Sequence, residues 1–560
     1  MSAPLLSVRD LSVVVRNGEG EQTLLDRVSL DLAPGDILGL VGESGSGKSL
    51  LCRSLVQLLP SRAISVTRGE VWMGGRDLLA LGDAQIQAVR GAEIGMIFQN
   101  PSSHLDPVMR VGDQIVEGLR FHRKLNRAAA QEEAIALMGQ VGFTDPARQF
   151  AAYPHEFSGG MRQRAMIAVA LSCDPKVLIA DEPTTALDVT IQAQILRLLM
   201  ELRERRGLSI ILITHDLGVV AQTCDRIAVM RQGRVVEVGD KRDILARPQH
   251  RYTKALISSH PSMPTDEAND VVDDKVDAAR LPAGPARPLV EIDDLHIRYP
   301  LSGGVFGRRR SFSAVAGVSL QIRAGETVGI VGESGSGKST LARAMLGLIP
   351  ISDGHVTFDG ASLRLQREAT LTKMRQQAAM VFQDPFNSLN PRLTIGQTLA
   401  EVLRVQGKVA PAAIPKRVDE LLRLVELDPD YAGRRPRQLS GGQCQRAGIA
   451  RALAVDPRLI VADECVAALD VTIQAQIVAL FQRLVRTMDL TLVFIAHDLA
   501  IVRNLCERVV VMHHGRIVEE GPCAEVFERP REAYTAALIA AIPDIDPDRR
   551  LLAPPGLLAS

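Results

Sequence analysis

Short apolar runs recur along the chain, and each leads into a glycine, a carboxylate or a histidine. Runs of this length are typical of parallel strands that are buried on both faces of a sheet. Two of them lead through a glycine-rich loop into helix-like segments, LLCRSLVQLL and TLARAMLGLI. The pattern therefore predicts a strand, a loop and a helix in that order, twice in one chain. The runs are residues 36–41, 177–181, 210–213, 327–332, 459–463 and 492–495.

The chain contains two copies of one plan. VGESGSGKS occupies residues 41–49 and again 331–339, and later motifs repeat at offsets of 282 to 284. Between the copies lies a stretch rich in Pro, Asp and Ala, which is typical of a linker. We therefore predict a first domain at 1–260, a linker at 261–288, a second domain at 289–543 and a loose tail at 544–560.

Composition narrows the class of protein. The 560 residues are too many for a single core, and 46% hydrophobic with 23% charged residues indicates a folded chain. Lys+Arg and Asp+Glu both number 65, which argues against a protein that coats nucleic acid. We expect no bilayer-spanning segment and no secretory signal, since Arg9 and Asp10 interrupt the apolar N-terminus. Seven scattered cysteines without a CxxC pair predict reduced thiols.

The repeated nonapeptide predicts a phosphate-binding loop. Its glycines allow consecutive backbone N–H groups to converge on phosphate oxygens at a helix N-terminus, its lysine adds a full charge, and its serine hydroxyl can ligate Mg²⁺. The glycine spacing does not fit the dinucleotide-binding pattern GxGxxG. The predicted binding residues are Gly42, Glu43, Ser44, Gly45, Ser46, Gly47, Lys48 and Ser49, and then Gly332, Glu333, Ser334, Gly335, Ser336, Gly337, Lys338, Ser339 and Thr340.

Carboxylates end two of the buried runs. A charge at such a strand end is costly unless it meets a cation, so Asp181 and Asp463 are predicted to hold Mg²⁺. The next residues, Glu182 and Glu464, are placed to polarise a water for attack on a γ-phosphate. The alternative interpretation is a carboxylate that only caps the following turn.

A histidine and a glutamine accompany each copy. His215 and His497 follow apolar runs, and their repetition favours a γ-phosphate contact over a purely structural histidine. Gln99 and Gln383 are candidate ligands for Mg²⁺ or for the attacking water.

A third motif precedes a helical segment in each copy. Serine is a good N-cap, and two following glycines leave the first helical N–H groups open to an anion. The motifs are Ser158, Gly159 and Gly160, and Ser440, Gly441 and Gly442, the latter followed by Gln443.

The ordered set of these motifs, present twice, resembles a pair of ATP-binding cassettes of ABC transporters over about residues 5–261 and 289–543. FQDPFNSLNPRLTIGQTL, FSGGMRQRAMIAVAL and RYTKALISSHP resemble the dipeptide, oligopeptide and nickel importer ATPases, here fused in one chain. The resemblance implies an α/β fold of two tandem P-loop NTPase domains. Each domain then has a mainly parallel core sheet, a helical subdomain and an antiparallel β subdomain.

The resemblance also implies a function. ATP and Mg²⁺ are the expected cofactors, and ATP hydrolysis is coupled to solute import. The expected partners are two integral membrane permease subunits and, through them, a solute-binding protein, with no nucleic acid. The location is then the cytoplasmic face of the inner membrane, where the chain is peripheral.

In this family two cassettes face each other head to tail. One site is then expected to combine Lys48, Asp181 and Glu182 with the motif that starts at Ser440. The other combines the second P-loop with the motif that starts at Ser158. Covalent fusion raises the effective concentration of one cassette for the other.

Departures from the family pattern predict that the two sites hydrolyse ATP unequally. Tyr299 is the candidate for stacking on adenine in the second copy, where the first copy has Val15. Cys465 adjoins Glu464. The first copy has Met161 at the position where the second copy has Gln443. We expect no iron–sulfur cluster from the positions of the cysteines.

Two alternative functions remain open at this point. Tandem cassettes that act on ribosomes or DNA tend to have long charged linkers or zinc-binding cysteine pairs, and this chain has neither. A tandem sugar-importer ATPase usually lacks tails such as those at Tyr252-Thr253 and Tyr534-Thr535. The sequence does not name the transported solute.

Overall fold

The structure is a computed structural model in which the chain folds into two compact units. The first contains the described residues up to 258 with 470–472 and 540–549, and the second contains those of 288–469 and 473–539. We call residues up to 258 the first half and residues from 288 the second half. The predicted linker lies outside the described residues except for Pro288, so the predicted domain boundaries stay predictions. The described residues are 3–18, 20–185, 187–258, 288–300, 311–363, 368–467, 469–496 and 498–549.

The first half alternates strands and helices. Its strands are β1 (Leu6–Asn17), β2 (Gly20–Leu32), β3 (Ile37–Val41), β4 (Ile64–Met73), β5 (Arg76–Asp77), β6 (Ile94–Ile97), β7 (Val177–Asp181), β8 (Ser209–Ile213), β9 (Arg226–Arg231) and β10 (Arg234–Asp240). Its helices are α1 (Lys48–Leu55), α2 (Asp83–Val89), α3 (Pro101–His104), α4 (Val111–Arg123), α5 (Arg127–Gln140), α6 (Pro146–Phe150), α7 (Gly159–Leu171), α8 (Val189–Arg206), α9 (Leu217–Thr223), α10 (Lys241–Ala246) and α11 (Arg251–Ser258).

The second half repeats this order. Its strands are β11 (Val290–Pro300), β12 (Ser311–Ile322), β13 (Thr327–Val331), β14 (Asp353–Phe358), β15 (Ala361–Ser362), β16 (Ala378–Val381), β17 (Leu459–Asp463), β18 (Thr491–Ile495), β19 (Arg508–His513) and β20 (Arg516–Pro522). Its helices are α12 (Lys338–Met345), α13 (Glu368–Arg375), α14 (Pro385–Ser388), α15 (Ile395–Gln406), α16 (Ile414–Leu424), α17 (Gly441–Leu453), α18 (Val471–Met488), α19 (Leu499–Leu505), α20 (Cys523–Glu528) and α21 (Ala533–Ala540).

Each half is built around a six-stranded sheet. In the first half the order is β10-β9-β3-β8-β7-β6, and all neighbours are parallel except β10 with β9. The second half has the order β16-β17-β18-β13-β19-β20 with the same directions. Four-stranded antiparallel sheets, β2-β1-β4-β5 and β12-β11-β14-β15, complete the two halves. Helices α3 to α7 and α14 to α17 lie between β6 and β7 and between β16 and β17 in the chain. The predicted α/β architecture is confirmed.

Strand β3 shows why the apolar runs are unbroken. Leu38 and Leu40 belong to a core cluster shared with the antiparallel sheet and α1. Ile37 and Val41 belong to a second cluster shared with the helical region. A strand that is covered on both faces needs apolar residues at successive positions. The carboxyl ends of β3, β7 and β8 meet at one edge of the sheet, and the predicted site residues follow them.

No helix among the described residues combines the length and the apolar character needed to cross a bilayer.

Candidate active site

A glycine-rich loop joins β3 to α1 in the first half. A side-chain Cβ at Gly42, where φ is +148°, would lie 2.2 Å from the carbonyl oxygen of Met230. Gly47 is the N-cap of α1 with φ of 102°, in the left-handed region. Gly332 and Gly337 repeat both constraints in the second half. The glycines therefore allow a tight turn that ends on a helix N-terminus.

The lysine of each loop is buried beneath its carbonyl groups. Lys48 is 6% exposed, and its Nζ donates to the carbonyl oxygens of Gly42 at 2.7 Å and Glu43 at 2.8 Å. Burial lowers the pKa of Lys48. Lys338 makes the equivalent bonds, at 2.7 Å to Gly332 and 2.9 Å to Glu333. A phosphate oxygen is a stronger acceptor than these carbonyls, so the ammonium is ready to transfer to an anion.

The serine at the start of α1 meets the aspartate at the end of β7. Ser49 Oγ donates to Asp181 Oδ1 at 2.8 Å, and Ser339 Oγ donates to Asp463 Oδ1 at the same distance. Burial raises the pKa of Asp181, against the opposing effect of the Ser49 hydrogen bond. Its Oδ2 is buried and has no hydrogen-bond partner among the described residues.

This hydroxyl and carboxylate fit Mg²⁺, which binds proteins through one or two carboxylates and completes its shell with substrate phosphates and water. An orphaned buried carboxylate oxygen is what such an ion needs. In the described part of the chain no three His, Cys, Asp or Glu side chains cluster as a metal site. One hydroxyl and one carboxylate leave most of the Mg²⁺ shell to phosphate oxygens and water, so they suit an ion that arrives together with a phosphate ligand.

Glu182 follows β7 in a left-handed conformation, with φ of 47°. Its carboxylate accepts from Gln99 Nε2 at 2.7 Å and from Thr185 Oγ1 at 2.8 Å, and His215 Nδ1 lies 3.4 Å away. Burial alone raises the pKa of Glu182, but the hydrogen bond and charge of His215, with Thr185 and Gln99, lower it to about 2. A strained backbone and an ionised carboxylate are typical of a functional position.

The second half reproduces part of this network. Glu464 also has φ of 47°, and its carboxylate accepts from Gln383 Nε2 at 2.8 Å. Ala467 occupies the position of Thr185, so the hydroxyl donor is missing there. His497 lies outside the described residues. The two halves thus differ around the carboxylate that each was predicted to use.

The serines of the third motif are helix N-caps, as predicted. Ser158 Oγ accepts from Met161 N–H at 3.3 Å, and Ser440 Oγ accepts from Gln443 N–H at the same distance. Gln443 Oε1 accepts in return from Ser440 N–H at 3.0 Å, which completes a capping box that methionine cannot form. At Gly160 and Gly442 a Cβ would approach an isoleucine of the next long helix within 2.8 Å and 2.6 Å.

Tyr299 lies at the end of β11, opposite Phe312 on β12. Both rings are exposed, at 40% and 51%. The sequence pointed to Tyr299 alone, although Phe312 also presents an aromatic face there. Stacking on a base stays a prediction.

Sequence reasoning missed two kinds of contact at these candidate sites. Thr185 was not singled out, although it contacts Glu182. The hydroxyl groups of Tyr252 and Tyr534 accept hydrogen bonds from the P-loop N–H groups of Glu43 and Glu333. The recurring Tyr-Thr in both tails was the available signal, but it carried no information about its spatial partner.

All seven cysteines lie within the described residues as free thiols. Burial raises the pKa of Cys465, beside Glu464, to about 12. Its thiol therefore stays protonated and is a packing group next to the site.

The comparison with family models agrees with this geometry in both halves. The model described as "ABC transporter" matches residues 25–185 and 315–467. These ranges contain both P-loops and both buried aspartates. The chain belongs to the ABC transporter family. A second model, "Oligopeptide/dipeptide transporter, C-terminal region", matches residues 236–284 and 518–558 of this ABC protein.

Curated relatives cover the ABC protein almost from end to end. It is 43% identical over 547 residues to the peptidoglycan transport ATP-binding protein YejF of Agrobacterium fabrum, covering 97% of each chain. It is 43% identical to the glutathione import ATP-binding protein GsiA of Salmonella choleraesuis, over 98% of this chain and 91% of the relative. GsiA of Escherichia coli K12 is 42% identical over 98% of this chain and 90% of the relative.

These findings confirm the predicted resemblance to a fused importer ATPase. The ABC protein is an ATP-binding subunit and an ATPase, with two cassettes in one chain. The C-terminal regions favour this function over a sugar importer or a cassette protein of ribosomes or DNA. Subunits of this kind are associated with membrane transporters.

Proposed function

We propose that this chain supplies both ATPase sites of an importer for peptides or related small solutes. It binds two integral membrane permeases at the cytoplasmic face of the inner membrane, and through them it serves a solute-binding protein. Two kinds of finding support this proposal. The C-terminal regions match the oligopeptide/dipeptide type, and the relatives are named for glutathione import and peptidoglycan transport.

In the proposed sites the P-loop binds the triphosphate. The backbone N–H groups at the start of α1 and α12 face the phosphates, and the helix dipole favours the negative charge. Lys48 and Lys338 exchange their carbonyl partners for the outer phosphate oxygens. Tyr299 stacks on one adenine.

The serine hydroxyl and the aspartate of each half have the chemistry to bind Mg²⁺. Ser49, Gln99 and Asp181 would hold the ion in the first half, and Ser339, Gln383 and Asp463 in the second. When bound, the ion neutralises charge on the phosphate oxygens.

Glu182 and Glu464 are the proposed general bases. The hydrogen bonds of Glu182 keep it ionised, so that it can accept a proton from the attacking water. His215 and His497 contact the γ-phosphate. His215 lies beside Glu182. The γ-phosphate has to lie close to Glu182 for the activated water to attack it, so His215 is within reach of that phosphate.

We further propose that each ATP is shared between the two cassettes. One site joins the first P-loop to Ser440–Gln443, and the other joins the second P-loop to the motif Ser158–Gly160. Two observations support this proposal. Each motif serine caps the N-terminus of a helix. Each half also carries every motif once. The γ-phosphate is then the anion that draws the two helix ends together, and its release lets them separate.

The observation that carries the proposal is the twofold occurrence of the bonded P-loop serine and buried aspartate, together with the tail regions. The test purifies the chain from membranes of its own organism and reconstitutes it with whatever co-purifies and the solute-binding protein. We expect two integral membrane proteins, and ATP-dependent uptake of glutathione or short peptides into vesicles. The Lys48→Ala/Lys338→Ala double variant should assemble but not transport. Co-purification with ribosomes, or uptake by the double variant, would contradict the proposal.

A further inference from the structure

The C-terminal segment of each half reaches its own P-loop through a tyrosine. In the first half Tyr252 lies on α11, within the region that matches the oligopeptide/dipeptide transporter tail. Its hydroxyl oxygen accepts the backbone N–H of Glu43 at 3.0 Å. The ring is buried, with 6% exposed. The two partners are 209 positions apart in the chain, so tertiary folding alone brings them together.

Glu43 is held from both sides. Its N–H is bound to the tyrosine, and its carbonyl oxygen accepts from Lys48 Nζ at 2.8 Å. The tail tyrosine and the phosphate-binding lysine are thus linked through one residue of the loop. A hydrogen bond at this position limits the rotation of the peptide units that Lys48 also contacts.

Tyr252 is itself firmly positioned. The guanidinium of Arg231 lies 4.9 Å from the centre of its ring. Just before α11, the carboxylate of Glu237 accepts the N–H groups of Gln249 at 2.7 Å and His250 at 3.1 Å. These bonds satisfy donors at the entrance to the helix and fix its direction.

The second half repeats the arrangement with a different cover. Tyr534 accepts the N–H of Glu333 at 3.1 Å, and the ring of His513 stacks on it at 3.9 Å. Glu519 accepts the N–H groups of Arg531 at 2.8 Å and Glu532 at 3.2 Å. Arginine in one half and histidine in the other cover the ring, but the bond to the P-loop is the same. The shared element is therefore the hydroxyl group.

We propose that Tyr252 and Tyr534 are positioning residues for ATP binding, each holding its P-loop in the shape that receives the phosphates. This inference rests on the proposed role of the P-loops. A preformed loop loses less conformational freedom when ligand binds, so the benefit appears as affinity rather than as a faster chemical step. The tail region that distinguishes this type of importer then acts inside the ATPase as a support of the nucleotide site.

The test replaces each tyrosine by phenylalanine, which removes one oxygen and keeps the ring. Tyr252→Phe, Tyr534→Phe and the double variant are compared with wild type in the full chain. Tyr153→Phe is the matched control, because its ring lies against His155 in the helical region. We measure KM and kcat for ATP. We also measure hydrogen–deuterium exchange of residues 42–48 and 332–338 in the nucleotide-free protein.

We expect the double variant to raise KM about fivefold, the equivalent of one hydrogen bond of about 1 kcal/mol. Its kcat should stay near the wild-type value, and exchange of the P-loop amides should accelerate. Each single variant should accelerate exchange only in its own half. The control should change neither quantity.

Unchanged KM and unchanged exchange in the tyrosine variants would overturn the inference. So would a fall in kcat at constant KM. If the wild type binds no ATP while exchange accelerates as expected, the proposed function fails and the support of the loop by the tyrosine stands. The two failures are therefore distinguishable.

Discussion

At the residue scale, the surroundings of Glu182 and Glu464 distinguish the two halves. Both carboxylates follow a buried aspartate in the same left-handed conformation, and both accept from a glutamine. Glu182 also accepts from the hydroxyl of Thr185, whereas the equivalent position in the second half is Ala467, which has no hydroxyl group. An extra hydrogen bond restrains the direction of the carboxylate, and orientation is a large part of general-base catalysis.

We therefore expect unequal hydrolysis. Glu182→Gln should cost more turnover than Glu464→Gln, by about fivefold, which corresponds to one hydrogen bond of about 1 kcal/mol. In a Thr185→Ala background the difference should shrink. The measurement is steady-state phosphate release by the two glutamine variants, each with and without Thr185→Ala, relative to the matching protein that keeps both glutamates. Equal losses from the two glutamine variants would defeat this prediction.

A pH dependence follows from the pair of His215 and Glu182. Burial lowers the pKa of His215, but the hydrogen bond and charge of Glu182 outweigh it and raise the pKa overall. The pair therefore adds stability that is complete below the unfolded histidine pKa of about 6.5 and is lost as pH rises through the folded value. The Glu182 contribution is present above its unfolded pKa of about 4.5 and is lost as pH falls towards about 2.

The destabilisation caused by His215→Gln should thus be greatest between about pH 5 and 6 and should shrink in alkaline solution. Thermal unfolding of wild type and variant from pH 5 to 9 measures it. In a Glu182→Gln background the same change should show no such trend. A cost that grows with rising pH would contradict the assignment.

At the element scale, the central strand of each sheet needs a glycine because a helix crosses it closely. A Cβ at Gly329 of β13 would lie 2.2 Å from Cγ1 of Val502 on α19. At Gly39 of β3 the equivalent distance to Val220 is 2.7 Å. The helix that follows the histidine position is thus packed directly on the strand that leads into the P-loop.

Gly329→Ala should therefore destabilise the second half by about 1–3 kcal/mol through overpacking. Gly433→Ala is the matched control, since a Cβ there meets no atom within 4 Å. Thermal or denaturant unfolding of both variants tests this. Equal midpoints for the two substitutions would show that the helix can move away at little cost.

The elements also show how far sequence reasoning reaches. The strands that end at Val41 and Asp181 were predictable because burial on both faces demands unbroken apolar runs, and the site residues follow them directly. The contact of Tyr252 with Glu43 was not predictable. It depends on where α11 lies relative to the P-loop, which no local sequence pattern records. The left-handed backbone conformation of Glu182 was not predictable from the sequence either, since glutamate has no preference for that conformation.

At the scale of the whole molecule, duplication is the main fact. The principal local features of the first half recur in the second, including the P-loop glycines with positive φ, the bonded serine and aspartate, and the tail tyrosine. The composition indicates a folded chain and the charge balance argues against a protein that coats nucleic acid, but the function follows from the repeated motifs and the family comparison. The two halves share the same order of strands and helices. They differ at the proposed sites in side chains, such as Thr185 and Ala467.

The measurement that tests the central claim most directly is the location of trapped ATP in a chain whose two general bases are glutamine. Photoreactive ATP is bound to this Glu182→Gln/Glu464→Gln protein, and the labelled peptides are identified with and without Ser440→Arg. We expect both P-loop segments to be labelled in the parent, and Ser440→Arg to abolish labelling at residues 41–49 while labelling at 331–339 remains. Loss of labelling at 331–339 instead, with 41–49 unaffected, would mean that each cassette encloses its own nucleotide and would contradict the claim.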